Sequence, residues 1–288
     1  MDGATTVVGI IGDAVRGSLS PRLHNAAFAA LGLNWCYVAF PVTRDRLGPA
    51  IRGLRALGIV GANVTVPHKE AALAYLDDAT EDARIIGAVN TIEVAGGRSI
   101  GHNTDTVGLV DALRREGGVP LEGQRAVIVG AGGAARAAAF ALAGAGAASV
   151  TIVNRNWDRA AALGAAVRRV FTCAVDAVPL DGHGIASTLG EATLLVQATT
   201  VGGGAQRAQS AVAGTLLHPG LFVMDMIYEP QETVLLREAR ALGCRTLGGL
   251  PMLVYQGARA FEIWTGRDAP LQVMRDAVGL PREAAPKP

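Results

Sequence analysis

The segment Asn63-Val64-Thr65-Val66-Pro67-His68-Lys69 carries residue types that acid–base chemistry needs. Side chains in a strand alternate between faces, so Asn63 and Thr65 share one face and Val64 and Val66 the other. Two β-branched valines suit burial, while an amide and a hydroxyl side by side suit a wet cleft. Pro67 cannot continue a central ladder, so the strand is expected to stop there. Residues 70–76 are helical in propensity, which puts Lys69 at a strand-to-helix junction. Composition singles the lysine out. Lysines and arginines total 26, yet only Lys69 and Lys287 are lysines, and Lys287 lies in the terminal tail. Arginine keeps its proton in proteins, whereas a lysine can be tuned to release one. From this stretch alone Lys69 reads either as a surface charge or as a group that moves a proton.

Other polar residues are equally two-sided when taken singly. Ser18 and Ser20 flank Leu19 just before Pro21. They read as helix N-caps, or as an anion site where hydroxyls and free N–H groups converge. Asp105 closes Gly101-His102-Asn103-Thr104-Asp105 and by itself reads as an N-cap, and Asn90 as a turn residue.

The glycine turn Gly130-Ala131-Gly132-Gly133-Ala134-Ala135 has the spacing GxGxxA. It follows a buried strand over 125–129, opens a helix over 133–144 and lies inside a short βαβ unit, the context a dinucleotide site requires. Glycines let the backbone approach a pyrophosphate, and the helix N-terminus offers it N–H donors. The next strand, 149–154, decides the cofactor. NAD-binding folds place an acid near its end; here Asn154 is followed by Arg155, with Arg159 one turn later. Two guanidiniums suit a 2′-phosphate, so NADP rather than NAD is expected; the other reading is two solvent-facing arginines at a helix start, with Asp158 an acid that would weaken a phosphate site.

These residues need a frame to hold them. At 288 residues the chain is long enough for two domains, and a hydrophobic fraction of 50% supports a large core. A net charge of +1 gives no electrostatic case for nucleic acid or an anionic membrane. The expected partners are a small-molecule substrate and, as a homodimer, another copy of the chain. Cys36, Cys173 and Cys244 have no metal-ligand spacing, so no metal is expected, and they read as free thiols in a cytoplasmic protein. The N-terminus lacks the basic start and apolar run of a signal peptide. The uncharged run 137–153 breaks at Gly144-Ala145-Gly146 and reads as helix then strand, not as a membrane span.

Strands are expected at 7–12, 35–41 and 63–66, helices at 22–31, 44–57 and 77–86, and extended pieces at 87–92 and 99–105 before a helix at 106–116. From residue 125 strand, turn and helix alternate, with later strands at 171–175, 193–198 and 221–226. A helix follows at 252–261, where Gln256 is the polar exception on an apolar pattern.

Taken together, Gly17–Pro21, the Asn63–Lys69 segment, Gly87-Ala88-Val89-Asn90-Thr91, the Asn-Thr-Asp segment, the glycine turn, Asn154-Arg155, Asp225-Met226-Ile227-Tyr228 and Met252-Leu253-Val254-Tyr255-Gln256 resemble the shikimate dehydrogenase family over nearly the whole chain. The resemblance implies an α/β fold: a substrate domain of 1–105 with 250–288, and a doubly wound Rossmann domain over 106–249, with the C-terminal helices returning to the first. It implies reversible NADP(H)-dependent reduction of 3-dehydroshikimate to shikimate in aromatic amino acid biosynthesis. It further implies that Lys69 and Asp105 are the catalytic pair. Ser18 and Ser20 would hold the substrate carboxylate, and Thr65, Asn90 and Gln256 its ring hydroxyls, with Asn63 and Tyr228 nearby. Gly130, Ala131, Gly132, Gly133 and Ala134 would cradle pyrophosphate. Asn154, Arg155, Asn156 and Arg159 would face the adenosine phosphate, Met226 and Gly249 would border the nicotinamide, and Glu81 would lie on the cofactor side. A quinate or quinate/shikimate dehydrogenase is the alternative within enzymes. From another class, a catalytically inactive NADP-binding sensor would keep the glycine turn and lose the lysine–aspartate pair.

Overall fold

In a computed structural model, which describes residues 1–281, the chain divides into two units. One comprises Met1–Gly108 and the chain from Leu253 onward; the other is Leu109–Met252. Lys287 lies outside the described residues.

The first unit is built on a six-stranded sheet of order β2-β1-β3-β5-β6-β4. β1 (Thr6–Gly12) is a nearly unbroken apolar run, as a strand covered on both faces should be. β2 (Trp35–Pro41) and β3 (Gly61–Val64) flank it in parallel, linked through the helices α1 (Ser20–Ala30) and α2 (Leu47–Ala56). β3 then pairs antiparallel with β5 (Thr91–Ala95), and β5 with β6 (Arg98–His102). The short β4 (Asp78–Ala79) lies at the edge and is followed by α3 (Glu81–Ile86). Ile11, Val64, Ala62, Leu47, Ile51 and Ile92 form the core on one side.

The second unit contains six parallel strands in the order β12-β11-β10-β7-β8-β9. These are β7 (Arg125–Val129), β8 (Ser149–Asn154), β9 (Ala174–Pro179), β10 (Leu194–Gln197), β11 (Phe222–Asp225) and β12 (Arg245–Leu247). Preceded by α4 (Asp105–Asp111), they alternate with α5 (Gly133–Gly144), α6 (Trp157–Arg168), α7 (Gly182–Glu191) and α8 (Val234–Ala241). Strand order reverses between β7 and β10, the doubly wound arrangement that opens a crevice at the strands' carboxyl ends. α9 (Leu250–Thr265) and α10 (Leu271–Ala277) complete the chain. No helix among the described residues is long and apolar enough to cross a membrane.

The expected strand over 63–66 is displaced. β3 ends at Val64, because Thr65 O accepts from His68 N and the chain turns there. Alternation stops with the strand. Val66 is 53% exposed and Asn63 only 4%, the reverse of the simple two-face pattern. The expected helix over 70–76 is a 3₁₀ turn, Ala71–Tyr75. The helix expected from residue 77 starts at Glu81, because Thr80 caps it through Ala83 N and residues 78–79 pair with β6. The strand expected at 171–175 is β9, three residues later.

α1 packs one unusual group against β2. His24 is fully buried, neither ring nitrogen has a hydrogen-bond partner among the described residues, and the ring stacks on Tyr37 with centroids 4.5 Å apart. Burial pushes the imidazole pKa down from 6.5 to about 3. The folded protein therefore binds fewer protons than the unfolded chain between those values, so stability rises with pH across that window. His24 is expected to cost about 2 kcal/mol of stability at pH 5 relative to its contribution above pH 7, at roughly 1.4 kcal/mol per unit of pH. Denaturant titrations of the wild type and His24→Phe at both pH values check this; the phenylalanine variant should lose that part of the acid sensitivity.

Candidate active site

Lys69 lies on the turn beyond β3, and its backbone carbonyl accepts from Val89 N at 2.8 Å. The turn is therefore tied to the segment that carries Asn90. Asp105 is the first residue of α4. These two positions, 36 residues apart in sequence, meet: Lys69 Nζ donates to Asp105 Oδ2 at 2.5 Å. The lysine side chain is 14% exposed and the aspartate 4%. The carboxylate is thus engaged by a cation and does not serve as a simple helix cap.

The other carboxylate oxygen is also held. Asn90 Nδ2 donates to Asp105 Oδ1 at 2.9 Å, to Thr104 Oγ1 at 2.8 Å and towards Gln256 Oε1 at 3.2 Å. Asn90 Oδ1 accepts from Thr104 N at 2.7 Å, which fixes the amide's orientation. Asn103 Oδ1 accepts from Asp105 N at 3.1 Å, and Asn103 Nδ2 donates to Ala88 O at 2.9 Å. Gln256 on α9 donates to Leu253 O at 2.8 Å, which leaves Oε1 turned to Asn90. Lys69, Asp105, Asn90 and Gln256 thus form one connected polar cluster. Buried polar groups joined in this way are mutually rigid.

Asn63 belongs to the same network from behind: Nδ2 donates to Asn90 O at 3.2 Å and to Thr91 Oγ1 at 3.0 Å. Thr65 packs against Gly12. A Cβ on that glycine would collide with Thr65 Cγ2, so glycine is needed for β1 and the Thr65 turn to approach. Ser18 and Ser20 pair with each other: Ser18 Oγ donates to Ser20 Oγ and accepts from Ser20 N, both at 3.2 Å. No side chain caps α1, so the plain capping reading of the serines is not what the structure contains. Glu81 is exposed in the first turn of α3.

In the second unit the glycine turn joins β7 to α5. Gly130 has φ +121°, and a Cβ there would meet Ala198 O and Thr199 at 3.2 Å. A Cβ on Gly132, the N-cap of α5, would meet nothing within 4 Å, and no side chain caps the helix. The first N–H groups of α5 have no side-chain cap among the described residues, the form of helix end that suits phosphate oxygens. Gly133 and Ala134 form that first turn, and Ala131 is buried behind it. Arg159 Nη2 donates to Ala131 O at 3.1 Å, which brings a guanidinium to the same turn. Asn154 Nδ2 donates to Asn156 O at 2.9 Å, and Asn156 Oδ1 caps α6 through Arg159 N at 3.0 Å. Arg155 is exposed, and no carboxylate ends β8. These residues fit a dinucleotide carrying an additional phosphate.

Met226, Tyr228 and Gly249 also lie in this unit. A Cβ on Gly249 would collide with Met226 O, so no other residue can sit there without moving that turn. A residue without an assigned role holds the turn in place. Asp225 is buried and accepts from Ile227 N, Gln197 Nε2 and Thr233 Oγ1 at 3.0, 3.2 and 2.7 Å. Burial pushes its carboxyl pKa up, against the pull of those donors. Thr104, Asn103, Thr91 and Asp225 are thus structural members of the sites that the spacing of reactive residue types did not single out. For Thr104 and Asn103 the available signal was adjacency to Asp105. Among the described residues no group of histidine, cysteine and acidic side chains could hold a metal ion.

Three family models match the chain. They describe the shikimate dehydrogenase substrate binding domain over residues 10–92, shikimate / quinate 5-dehydrogenase over 112–201, and the shikimate 5'-dehydrogenase C-terminal domain over 249–278. The shikimate dehydrogenase (NADP(+)) of Methanopyrus kandleri is 48% identical over 279 residues, spanning 96% of each chain. A solved shikimate dehydrogenase in complex with NADP+ is similar at 42% identity and TM-score 0.87, with 96% of both chains covered. The Thermus thermophilus shikimate 5-dehydrogenase, solved with NADP(H) and shikimate, is similar at 39% identity and TM-score 0.84, covering 95% of this chain and 98% of its own.

Proposed function

The chain belongs to the shikimate dehydrogenase family, and from that premise we propose that it interconverts 3-dehydroshikimate and shikimate with NADP(H). The observation that carries this reading is the 2.5 Å contact of Lys69 Nζ with Asp105 Oδ2, held by Asn90. A lysine has three N–H donors. One is engaged by Asp105, which aims the amine and leaves the others for a substrate oxygen. In the reductive direction Lys69 donates a proton to the alkoxide forming at the substrate carbonyl; in the oxidative direction it takes the hydroxyl proton. Asp105 holds the amine in place and balances its charge. Asn90, Gln256 and Thr65 orient the ring hydroxyls, with Asn63 nearby, and the Ser18–Ser20 pair donates to the carboxylate. Positioning of this kind supplies much of the rate in a reaction whose chemistry the cofactor carries.

The first unit serves as the substrate domain and the second as the nucleotide domain in this reading. The α5 N-terminus and Gly130–Ala134 would hold the pyrophosphate, and Asn154, Arg155, Asn156 and Arg159 the 2′-phosphate end. Met226 and Gly249 would border the nicotinamide. NADP, when bound, supplies the hydride donor or acceptor. Arg155→Ala is expected to raise KM for NADP about 10-fold or more, as loss of a charge-assisted contact should, with activity on NAD unchanged. Steady-state kinetics with both cofactors check it. The reading as a whole is tested by following NADP reduction by its absorbance with shikimate and, separately, quinate. Turnover of shikimate with NADP is expected; turnover of quinate alone, or of neither acid, would overturn the proposal.

A further inference from the structure

Behind the lysine–aspartate pair runs a chain of hydrogen bonds that ends on a residue with no assigned role, Tyr37. This tyrosine sits in the middle of β2 and is 1% exposed. Its hydroxyl donates to Asn63 Oδ1 at 2.7 Å. A buried tyrosine commonly finds some acceptor, so the bond alone is ordinary. Its direction and its continuation carry more weight.

The polarity of the chain is fixed at each step. Asn90 O can only accept, so the Asn63 amide must present Nδ2 to it, at 3.2 Å. Asn63 Oδ1 then faces Tyr37, whose hydroxyl is the donor. The second Asn63 N–H goes to Thr91 Oγ1 at 3.0 Å, and that hydroxyl donates to Asn90 Oδ1 at 3.3 Å. Asn90 Oδ1 also accepts from Thr104 N, so its Nδ2 end is turned towards Asp105 Oδ1. Tyr37 and Asn90 O together leave the Asn63 amide one orientation, Thr104 N and the Thr91 hydroxyl together do the same for the Asn90 amide, and Asn90 holds the carboxylate that aims Lys69.

Tyr37 is itself clamped. Asn25 on α1 binds its backbone at both ends: Tyr37 N donates to Asn25 Oδ1 at 2.8 Å, and Asn25 Nδ2 donates to Tyr37 O at 3.0 Å. His24, the neighbouring residue of α1, stacks on the ring with an interplanar angle of 4°. α1 opens with Ser20, and Asn63 lies two residues before Thr65. The same tyrosine therefore links the helix that begins at Ser20 of the serine pair to the strand and turn that carry Thr65 and Lys69.

We propose that Tyr37 is a positioning residue for the reaction: its hydroxyl locks the Asn63 amide, and through it the Asn90 amide that holds Asp105. This rests on the proposed dehydrogenase activity for its kinetic consequence, though not for its structural one.

Tyr37→Phe keeps the ring and its stacking on His24 and removes only the donor. In the full-length protein it is expected to lower kcat/KM for shikimate about 5- to 20-fold, the scale of one buried hydrogen bond lost with its partner left unpaired. KM for NADP should stay within about twofold. The same substitution made in an Asn63→Ala background should then change kcat/KM less than about twofold, because the connection it acts through is already gone. A merely structural tyrosine would have the same effect in both backgrounds. The ligand-free protein gives an independent readout by NMR. The side-chain amide resonances of Asn63 and Asn90 should shift in Tyr37→Phe while that of Asn103 does not. Wild-type-like kcat/KM in Tyr37→Phe, or an undiminished effect in the Asn63→Ala background, would overturn the proposal. If the wild type fails to oxidise shikimate, the functional reading falls, and the NMR result then decides the positioning role: an unmoved Asn90 amide overturns it, a shifted one upholds it.

Discussion

Lys69→Ala is expected to lower kcat for shikimate oxidation by about 10²-fold or more, since a positioned acid–base group contributes roughly 10²–10⁴. KM should change far less, because the serine pair, Thr65, Asn90 and Gln256 still hold the substrate in the proposed site. The substitution leaves Asp105 a buried carboxylate without its cation, which is destabilising. The stability cost is limited, because Asn90 still donates to Oδ1 and Asp105 N stays bonded to Asn103. Circular dichroism and thermal unfolding should therefore report a folded protein while the steady-state rate collapses. A variant with near-normal turnover would remove Lys69 from the mechanism.

Asp105→Asn should be nearly as damaging, for a reason specific to the geometry. Both carboxylate oxygens act as acceptors, Oδ2 from Lys69 Nζ and Oδ1 from Asn90 Nδ2. An asparagine offers one acceptor oxygen and one NH₂ donor. Whichever way it turns, its NH₂ opposes a donor, either the lysine or the Asn90 amide. One arm of the cluster must break, and the amine loses either its aim or the group that supports the aim. A fall in kcat of about 10²-fold is expected, within the range for a misplaced proton-transfer group. KM for shikimate should also rise, because Asn90 is disturbed. Kinetics on the purified variant, compared with Lys69→Ala, check both parts. Unchanged kcat would mean that the carboxylate only solvates the lysine.

How much of this could be read before any coordinates follows from the kind of interaction involved. Lys69 is legible because it is chemically out of place, a lone internal lysine among arginines just past a proline that marks the end of extended chain. The glycine turn is legible because its function is a backbone function, and glycines mark it directly. The pairing of Lys69 with Asp105 is not legible from spacing. It depends on β5 and β6 inserting between the two positions and bringing Asp105 back across the sheet, and only the family resemblance anticipated it. The burial of Asn63 and exposure of Val66 escape the alternation rule because a backbone bond from His68 to Thr65 ends the strand two residues early. Tyr37 gives no local signal at all: an aromatic residue in a strand reads as core. Its role appears only when the hydroxyl is followed through Asn63 to the carboxylate. Asp225 is hidden likewise, an acid at a strand end whose partners come from Gln197, Ile227 and Thr233.

Lys69→Arg isolates the claim beneath all of this, that the amine moves a proton and does not merely supply a charge. An arginine keeps the positive charge and can still pair with Asp105, yet it does not give up its proton in proteins. The kcat of Lys69→Arg for shikimate with NADP should fall by about 10²-fold or more, while the KM for shikimate stays within a few fold of wild type. Turnover close to wild type in that variant would contradict the account.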